Sequence, residues 1–588
     1  MSSMNHANLF LAMAISLSIL LGFHYFYERP RLEAYRAAIA QQKAAKLALK
    51  EPPASRRPAP SVSTAAASTE LKDRALLVAE QKRVAVESGE LSGSINLAGG
   101  RIDDLVLRRY RETVDPASPP VVLLSPSGSA RPHPACYAEF GWLGENVKLP
   151  SSDTEWSLPP GARLTPESPV TLTWDNGEGL RFERVITLDD HFMFTITDRV
   201  RNSGERPVTL HPFGLLVHQT IPDQSELAMG HIGPLGVLGG VLKEHSYGEL
   251  EDKVSIAEAS QGGWAGITSK YWHTALIPPP EEQIAASFKF ARRPEQKTED
   301  GKFQVDYRGA PATIAPGATH EYTRHFFAGA KRVELLDMYA EKYNIEKFAL
   351  AIDFGWFGFL TKPLLYTLNW LGRQLGNVGL AILALTVLVK MAVLPLGIKS
   401  YRSMAKMKKL QPELKLLSER FKDDKPRQSI EMMELYKREK VSPLSGCLPI
   451  FAQLPVFFAL YKVLYIGIDM RHAPFFGWIK DLSAPDPTTI LNLFGLMPWN
   501  IPASPAFLHI GVWPLLMGVS MYALQRMNPA PPDPMQAQVM MLMPVIFTAM
   551  LGPSMAAGLL IYWTWSNTIS ITQQFLIYRQ MDKKHSKP

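Results

Sequence analysis

Cysteine is nearly absent from this chain of 588 residues, which carries only Cys136 and Cys447. The first lies in a polar half and the second in an apolar run. If those runs cross a membrane the pair does not meet, so no structural disulfide is expected, and no zinc-type spacing exists. Charge of one sign is also in short supply. Sixty-two Lys and Arg against 55 Asp and Glu leave a net charge of +7, too little for a chain of this size to suggest a nucleic-acid binder. The C-terminal half contains no nucleophile–base pair, metal cluster or phosphate loop, so neither a cofactor nor catalysis is expected there. No internal repeat is visible, which counts against a secondary transporter, a class that also uses buried lysines. The apolar stretch LFLAMAISLSILLGFHYFY (9–27) has no Lys or Arg before it and no small-x-small site after it. It reads as an uncleaved anchor over 1–27 rather than a signal peptide.

What is present divides in two. Residues 28–74, rich in Ala, Lys, Gln and Pro, cannot bury a core and read as a disordered tether. Residues 75–350 carry period-two runs such as Val170, Leu172, Trp174 and Phe192, Phe194, Ile196. Turns at Asp175-Asn176-Gly177 and Asn202-Ser203-Gly204 punctuate them. A large, mostly antiparallel β domain follows. A carbohydrate-active domain would need its histidines (His191, His211, His218, His231, His273) to converge on a cleft with carboxylates, and spacing alone does not place them.

From 351 onward the pattern turns helical. Phe357, Leu360, Leu364, Leu368, Leu371 and Leu375 make an amphipathic stripe ahead of an apolar run, as expected of an interfacial helix within 351–375. Five spans follow in 376–579, at about 376–397, 445–467, 507–526, 535–551 and 555–577. The last two are one apolar stretch broken at Gly552-Pro553. Unbroken, it would run roughly 64 Å, twice a bilayer core, so a hairpin is required. With the N-terminal anchor the expected fold class is a polytopic α-helical membrane protein of six spans carrying a β domain. Between 399 and 442 a two-helix hairpin is expected, with a seam of Met404, Met407, Leu410, Leu414, Leu417 and Phe421. The seam resumes at Ile430, Met433 and Tyr436 after Asp423-Asp424-Lys425-Pro426.

Thirteen Lys and Arg lie between 399 and 440, against only Arg471 and Lys480 in the loop after the next span. The positive-inside rule puts the hairpin and the short basic tail, 580–588, in the cytoplasm, and the β domain outside. Arg29, Arg31, Arg36, Lys43 and Lys46 in the tether oppose that arrangement, and two C-terminal loops outweigh them.

Lys390 stands out, an ammonium inside AILALTVLVKMAVLPL. Such a residue costs about 2.5–3.5 kcal/mol at mid-helix, so it either faces a wet, protein-lined interior or snorkels to the cytoplasmic surface. Thr386 lies one turn earlier. Asn567, Ser570 and Gln574 form a polar stripe with Ser566 and Gln573 beside it, and Gln453 sits on another span. These residues either meet as a groove or tie helices together. The methionines at 535, 540, 541, 543, 550 and 555 suit either a surface that accepts varied apolar segments or lipid-facing filler.

Five strings carry a resemblance. SMAKMKKLQPELK (403–415), EMMELYKREKVSPLSGCLPIFAQLPVFFALYKVL (431–464), APFFGWIKDLSAPDP (473–487), DPMQAQVMMLMPVIFT (533–548) and SNTISITQQFLIYR (566–579) together resemble the YidC family of membrane protein insertases, relatives of the mitochondrial Oxa and chloroplast Alb proteins. The resemblance implies a Gram-negative inner-membrane protein with a periplasmic β-supersandwich. Its clients would be nascent membrane proteins, and its partners the Sec translocon, the membrane lipids and also the ribosome and the signal recognition particle receptor. It also implies a hydrophilic groove with a cation, usually Arg, which falls on Lys390. The groove positions fall on Thr386, Gln453, Ser566 and Asn567, with Tyr562 and Trp563 on the substrate path. Two departures affect the outer loops: Ala556-Ala557-Gly558-Leu559 stands where Pro-x-Gly-Leu is usual, and 493–506 resembles an insertion.

Overall fold

The computed structural model describes residues 71–585, except 220–229, 292–300, 423, 440, 442–447, 498–508 and 530–533. The expected anchor, most of the tether, Cys447, most of the 493–506 insertion and the end of the basic tail lie outside the described residues. The chain forms two compact units that divide between Asp353 and Phe354.

The first unit is built on two sheets. An eight-stranded sheet runs, in spatial order, Val241–Glu244, Gly233–Leu238, Trp264–Thr268, Trp272–Ile277, Thr319–Ala330, Met193–Asn202, Leu180–Leu188 and Val170–Asp175. An eleven-stranded sheet has Val208–His218 and Cys136–Gly144 near its middle. Among the described residues every pairing between strands is antiparallel except that of Arg83–Glu87 with Arg163–Leu164. Short helices α1 (Arg74–Ala79), α2 (Tyr247–Lys253) and α3 (Val333–Lys342) accompany the sheets. Lys72, within the expected tether, already bridges Ser129.

Period-two alternation explains which side chains point inward. Phe182, Ile186 and Leu188 on one strand, Phe194, Ile196 and Val200 on the next, and Tyr322 and Phe326 on a third are all buried. The same alternation places Arg184, Asp198 and Arg324 on the core face, and they too are almost fully buried. Arg184 stands directly opposite Asp198 across the strands, and Arg324 lies diagonally on the other side. Arg184 donates through Nε to Asp198 Oδ1 at 2.6 Å and through Nη2 to Phe140 O on the facing sheet at 2.8 Å. Arg324 donates to Asp198 Oδ2, and to Phe213 O, also on the facing sheet, at 3.0 Å. One carboxylate between two guanidiniums thus links both sheets across the core.

The histidines have separate backbone tasks. The rings of His211, His231 and His273 face the carbonyls of Gly309, Pro234 and Ile267. Burial pushes the His273 imidazole down to about 3, so it is neutral, packed 5.3 Å from the Trp264 ring. Among the described residues no three His, Cys, Asp or Glu are grouped to hold a metal.

The second unit is helical: α4 (Gly358–Leu375), α5 (Val378–Arg420), α6 (Lys425–Arg438), α7 (Leu448–Ile466), α8 (Val512–Met527), α9 (Pro534–Met550) and α10 (Ala557–His585). Among the described residues two helices, Val378–Arg420 and Ala537–Ser554, are long and apolar enough to cross a membrane by length and composition. Gly552–Ser554 breaks the last apolar stretch into the hairpin its length required.

Three local expectations need correction. The second span and the first arm of the hairpin are one 43-residue helix, because Pro395 and Pro412 sit inside α5 without ending it. The α4 stripe is turned: Thr361, Leu365, Leu368 and Leu371 are buried, while Phe359, Trp370 and Leu375 are exposed. In α6, Gln428 and Leu435 are buried and Ile430 and Met433 are exposed. Gln428 Nε2 reaches Ser418 Oγ on the opposite arm at 2.7 Å. Asp424 caps α6 by accepting from the Arg427 N–H, so the expected break at 423–426 is a defined helix start.

The Asp198 triad generates a prediction about stability. Burial pushes the Asp198 carboxyl up, but the Arg184 and Arg324 guanidiniums outweigh that and hold it below the usual carboxylate range. A depressed folded-state value contributes stability above the unfolded-state value, near 3.9, which is lost as pH falls through the folded-state value. Asp198→Ala should destabilise the β domain by about 3–5 kcal/mol, because it strands two buried guanidiniums. The acid loss of stability that begins below roughly pH 4 should also weaken in this variant. Melting of the domain in the full chain, followed by tryptophan fluorescence across pH, measures both effects.

Candidate functional site

Lys390 lies on α5 in the first half of its 43 residues, within the apolar segment. Its ammonium donates to Ser570 Oγ on α10 at 2.9 Å and to Gln453 Oε1 on α7 at 3.2 Å. Gln453 in turn donates through Nε2 to the Tyr562 hydroxyl on α10 at 2.7 Å. Three helices are therefore joined by a polar seam of Lys390, Gln453, Ser570 and Tyr562. The seam is only partly buried at Lys390 and Gln453, while Tyr562 and Ser570 are buried.

The chemistry of the seam follows from what it lacks. Among the described residues no Asp or Glu pairs with Lys390; both recorded partners are neutral oxygens. Two dipoles solvate an ammonium only in part, and an ammonium cut off from water in a low-dielectric interior costs several kcal/mol. The remaining solvation has to come from water reaching the half-buried ammonium, or from a negative group brought to it.

The other expected site residues divide between this seam and helix–helix ties. Thr386 is buried, but its Oγ1 donates to Ile382 O at 2.7 Å in its own helix rather than to Lys390. Ser566 is buried one turn before Ser570, and its carbonyl accepts from Ser570 Oγ at 3.0 Å. Asn567 turns away and donates to Ser520 on α8 at 3.0 Å. Gln574 likewise reaches Asn528, just past α8, at 3.2 Å. Trp563 is half-buried, its ring 4.8 Å from Phe457 on α7 and 6.4 Å from Phe547 on α9. Of the stripe Asn567–Ser570–Gln574, then, Ser570 alone joins Lys390, and the flanking two hold α10 to the α8 region. Ser520 is the residue that spacing did not single out. A serine in an apolar helix carries no signal until its partner is known.

Residues 83–367 match the family model described as the YidC periplasmic domain, and residues 370–584 match the one described as 60Kd inner membrane protein. A curated relative from Methylorubrum extorquens strain PA1, named membrane protein insertase YidC, is 46% identical over 594 aligned residues, covering 97% of this chain and 95% of the relative. The chain belongs to the YidC family. A Sinorhizobium fredii relative of the same name is 45% identical, covering 99% and 96% of the two chains. A solved YidC insertase with its first transmembrane domain resolved aligns at a TM-score of 0.35 and 17% identity, covering 84% of this chain and 92% of that one. As a YidC protein the chain joins a β-rich domain of the family's periplasmic type to a helical region with apolar helices, and its relatives make it an inner-membrane protein.

The seam and the ties should respond differently to truncation. Ser520→Ala leaves the Asn567 amide buried without its partner and should lower helical-unit stability by about 1 kcal/mol. Ser570→Ala should cost less, because water can replace a hydroxyl beside a partly exposed ammonium. Thermal unfolding of the two purified variants in one detergent gives the comparison. A larger loss for Ser570→Ala would contradict a wet seam.

Proposed function

We propose that the chain inserts nascent membrane proteins into the inner membrane through a hydrated groove centred on Lys390, without covalent chemistry. The observation that carries this reading is the ammonium held at 2.9 and 3.2 Å by neutral oxygens, with no carboxylate pairing with it among the described residues. A wet recess lowers the barrier to a client's polar flank, while the client's apolar helix leaves along neighbouring helices into lipid, driven by hydrophobic transfer. Trp563, edge-on to Phe457 and tilted against Phe547, would line that exit, and Thr386 and Ser566 would set the polar depth of the groove, with Asn567 tying α10 to α8 behind it.

In this reading the chain spans the membrane six times, with its N-terminus, the 399–442 hairpin and the tail in the cytoplasm and residues 28–375 outside. The Lys and Arg asymmetry between 399–440 and the following loop supports that topology. Methionine-bearing faces of α9 such as Met540, Met543 and Met550 are exposed and suit varied apolar clients. The Sec translocon, the ribosome and the signal recognition particle receptor are the partners this role calls for.

The charge of Lys390 gives the test. Lys390→Arg should work nearly as well as the parent, because a long cation remains. Lys390→Leu should fall between Arg and Glu and spare clients with neutral flanks. Lys390→Glu should reduce insertion of a client with an acidic translocated flank tenfold or more. Charges about 8 Å apart at an effective dielectric near 20 interact by about 2 kcal/mol, and the sign is reversed. The measurement is insertion efficiency of one small single-span client with acidic, neutral or basic flanks, in liposomes containing each variant at matched amounts. Equal loss for all three flanks would reject electrostatic attraction.

A further inference from the structure

Within the helical unit, the loop between α7 and α8 folds onto one carboxylate, Asp486. Its Oδ1 accepts from the Trp478 indole N–H at 3.1 Å and from the N–H and hydroxyl of Thr488 at 3.0 and 2.7 Å. Its Oδ2 accepts from the Trp513 N–H, in the first turn of α8, at 2.8 Å. Helix α8 has Gly511 at its N-cap and no side-chain cap there, so Asp486 supplies the missing acceptor from another part of the chain. The approach requires glycine: a Cβ on Gly511 would lie 2.7 Å from Asp486 Cγ. The Ile490 N–H then donates to Ile510 O at 2.9 Å, which closes the base of an excursion running from 490 to 510.

What this loop exposes is apolar. Leu496 is 82% exposed, and Leu493, Phe494 and Met497 are exposed with it, as are Phe476 and Trp478 ahead of Asp486. Leu493 and Phe494 have φ of 49° and 60°, a left-handed conformation that residues other than glycine rarely adopt. From Pro487 to Gln525 the sequence contains no Asp, Glu, Lys or Arg. A grouped apolar surface of this kind marks a site of interaction, and the lack of charge suits lipid better than a soluble partner with a polar rim.

Helix length decides where that surface lies. On the proposed topology α8 crosses the bilayer, with Arg526 in its last turn at the cytoplasmic headgroups. Its 16 residues rise roughly 24 Å, against about 30 Å of hydrocarbon. The other end of α8, and with it Asp486 and the base of the excursion, therefore stops about 6 Å short of the far hydrocarbon edge, and tilt would deepen it. We propose that residues 490–497, together with Phe476 and Trp478, form an interfacial anchor seated among the lipids of the outer leaflet. This inference rests on α8 being a span. Seated there, the loop would hold the end of α8, which Ser520 ties to Asn567 on α10, the helix that bears Ser570.

Spin labels whose relaxation reports depth test the anchor in liposomes. In the full-length chain lacking Cys447, with Cys136 buried, a nitroxide is attached at one of three exposed positions. These are Leu496→Cys in the loop, Val519→Cys on α8 and Lys82→Cys on the β unit. Collision with oxygen, which dissolves in hydrocarbon, is compared with collision with a water-soluble nickel chelate. The oxygen-to-nickel ratio at Leu496→Cys should exceed that at Lys82→Cys at least about fivefold and approach that at Val519→Cys. A water-like ratio at Leu496→Cys beside a lipid-like one at Val519→Cys would overturn the anchor and leave the span standing. Low collision with both agents at Leu496→Cys would mean that protein covers the loop, and would overturn lipid as its occupant. A water-like ratio at Val519→Cys would overturn the span, and the anchor with it.

Discussion

A fixed cation among apolar helices has to be solvated by something, and the helical unit is organised around that demand at Lys390. The protein provides two neutral oxygens, from Gln453 and Ser570, and leaves the ammonium only half-buried. An acidic residue in the same place would have closed the site electrostatically, making it a lock between helices. Neutral partners keep the charge available. On the proposed reading water serves at rest, and a client's acidic flank takes its place during insertion. Asn567 and Gln574 belong to the same stripe of α10 as Ser570 but reach the α8 side, to Ser520 and Asn528, where each finds a neutral partner and is buried.

The β unit solves the opposite problem. Arg184 and Arg324 are as buried as any side chain in the domain, yet Asp198, Phe140 O and Phe213 O receive their donors. Removing a partner there leaves an uncompensated charge in a dry core, whereas removing one beside Lys390 admits water. Burial beside a carboxylate reads as scaffold, and partial burial with no carboxylate partner among the described residues reads as a working site.

Much of this was legible in the residues. Alternation at Val170–Trp174 and Phe192–Ile196 announced strands, the Gly552-Pro553 break announced a hairpin, and a lone Lys in an apolar run announced the seam. Phase was harder to read. In α4 and α6 both the buried and the exposed faces carry large apolar residues, so a 3.6-residue period is visible while its direction is not; Phe359 and Trp370 point outward where Leu365 and Leu368 point in. Continuity of α5 through Pro395 and Pro412 was likewise hidden, because flanking Leu, Met, Lys and Gln favour helix and tertiary packing overrides two local breaks. The inward charges at Arg184, Asp198 and Arg324 occupy positions that alternation assigns to the core, but only three aligned strands reveal that one carboxylate lies between the two guanidiniums. Ser570 was visible as part of a stripe, and its pairing with Lys390, 180 positions away, was not.

Water access to position 390 is the claim on which the functional account rests. In a background lacking Cys447, Lys390→Cys and, separately, Leu388→Cys place a thiol at the seam and on an exposed apolar face of the same helix. A charged, membrane-impermeant thiol reagent is added to inner-membrane vesicles that present the cytoplasmic side, and modification rates are compared. The account predicts rapid modification of Lys390→Cys and protection of Leu388→Cys, because only a hydrated thiol ionises and meets the reagent. Protection of both, with the protein shown to be folded and inserted, would mean a dry seam and would contradict it.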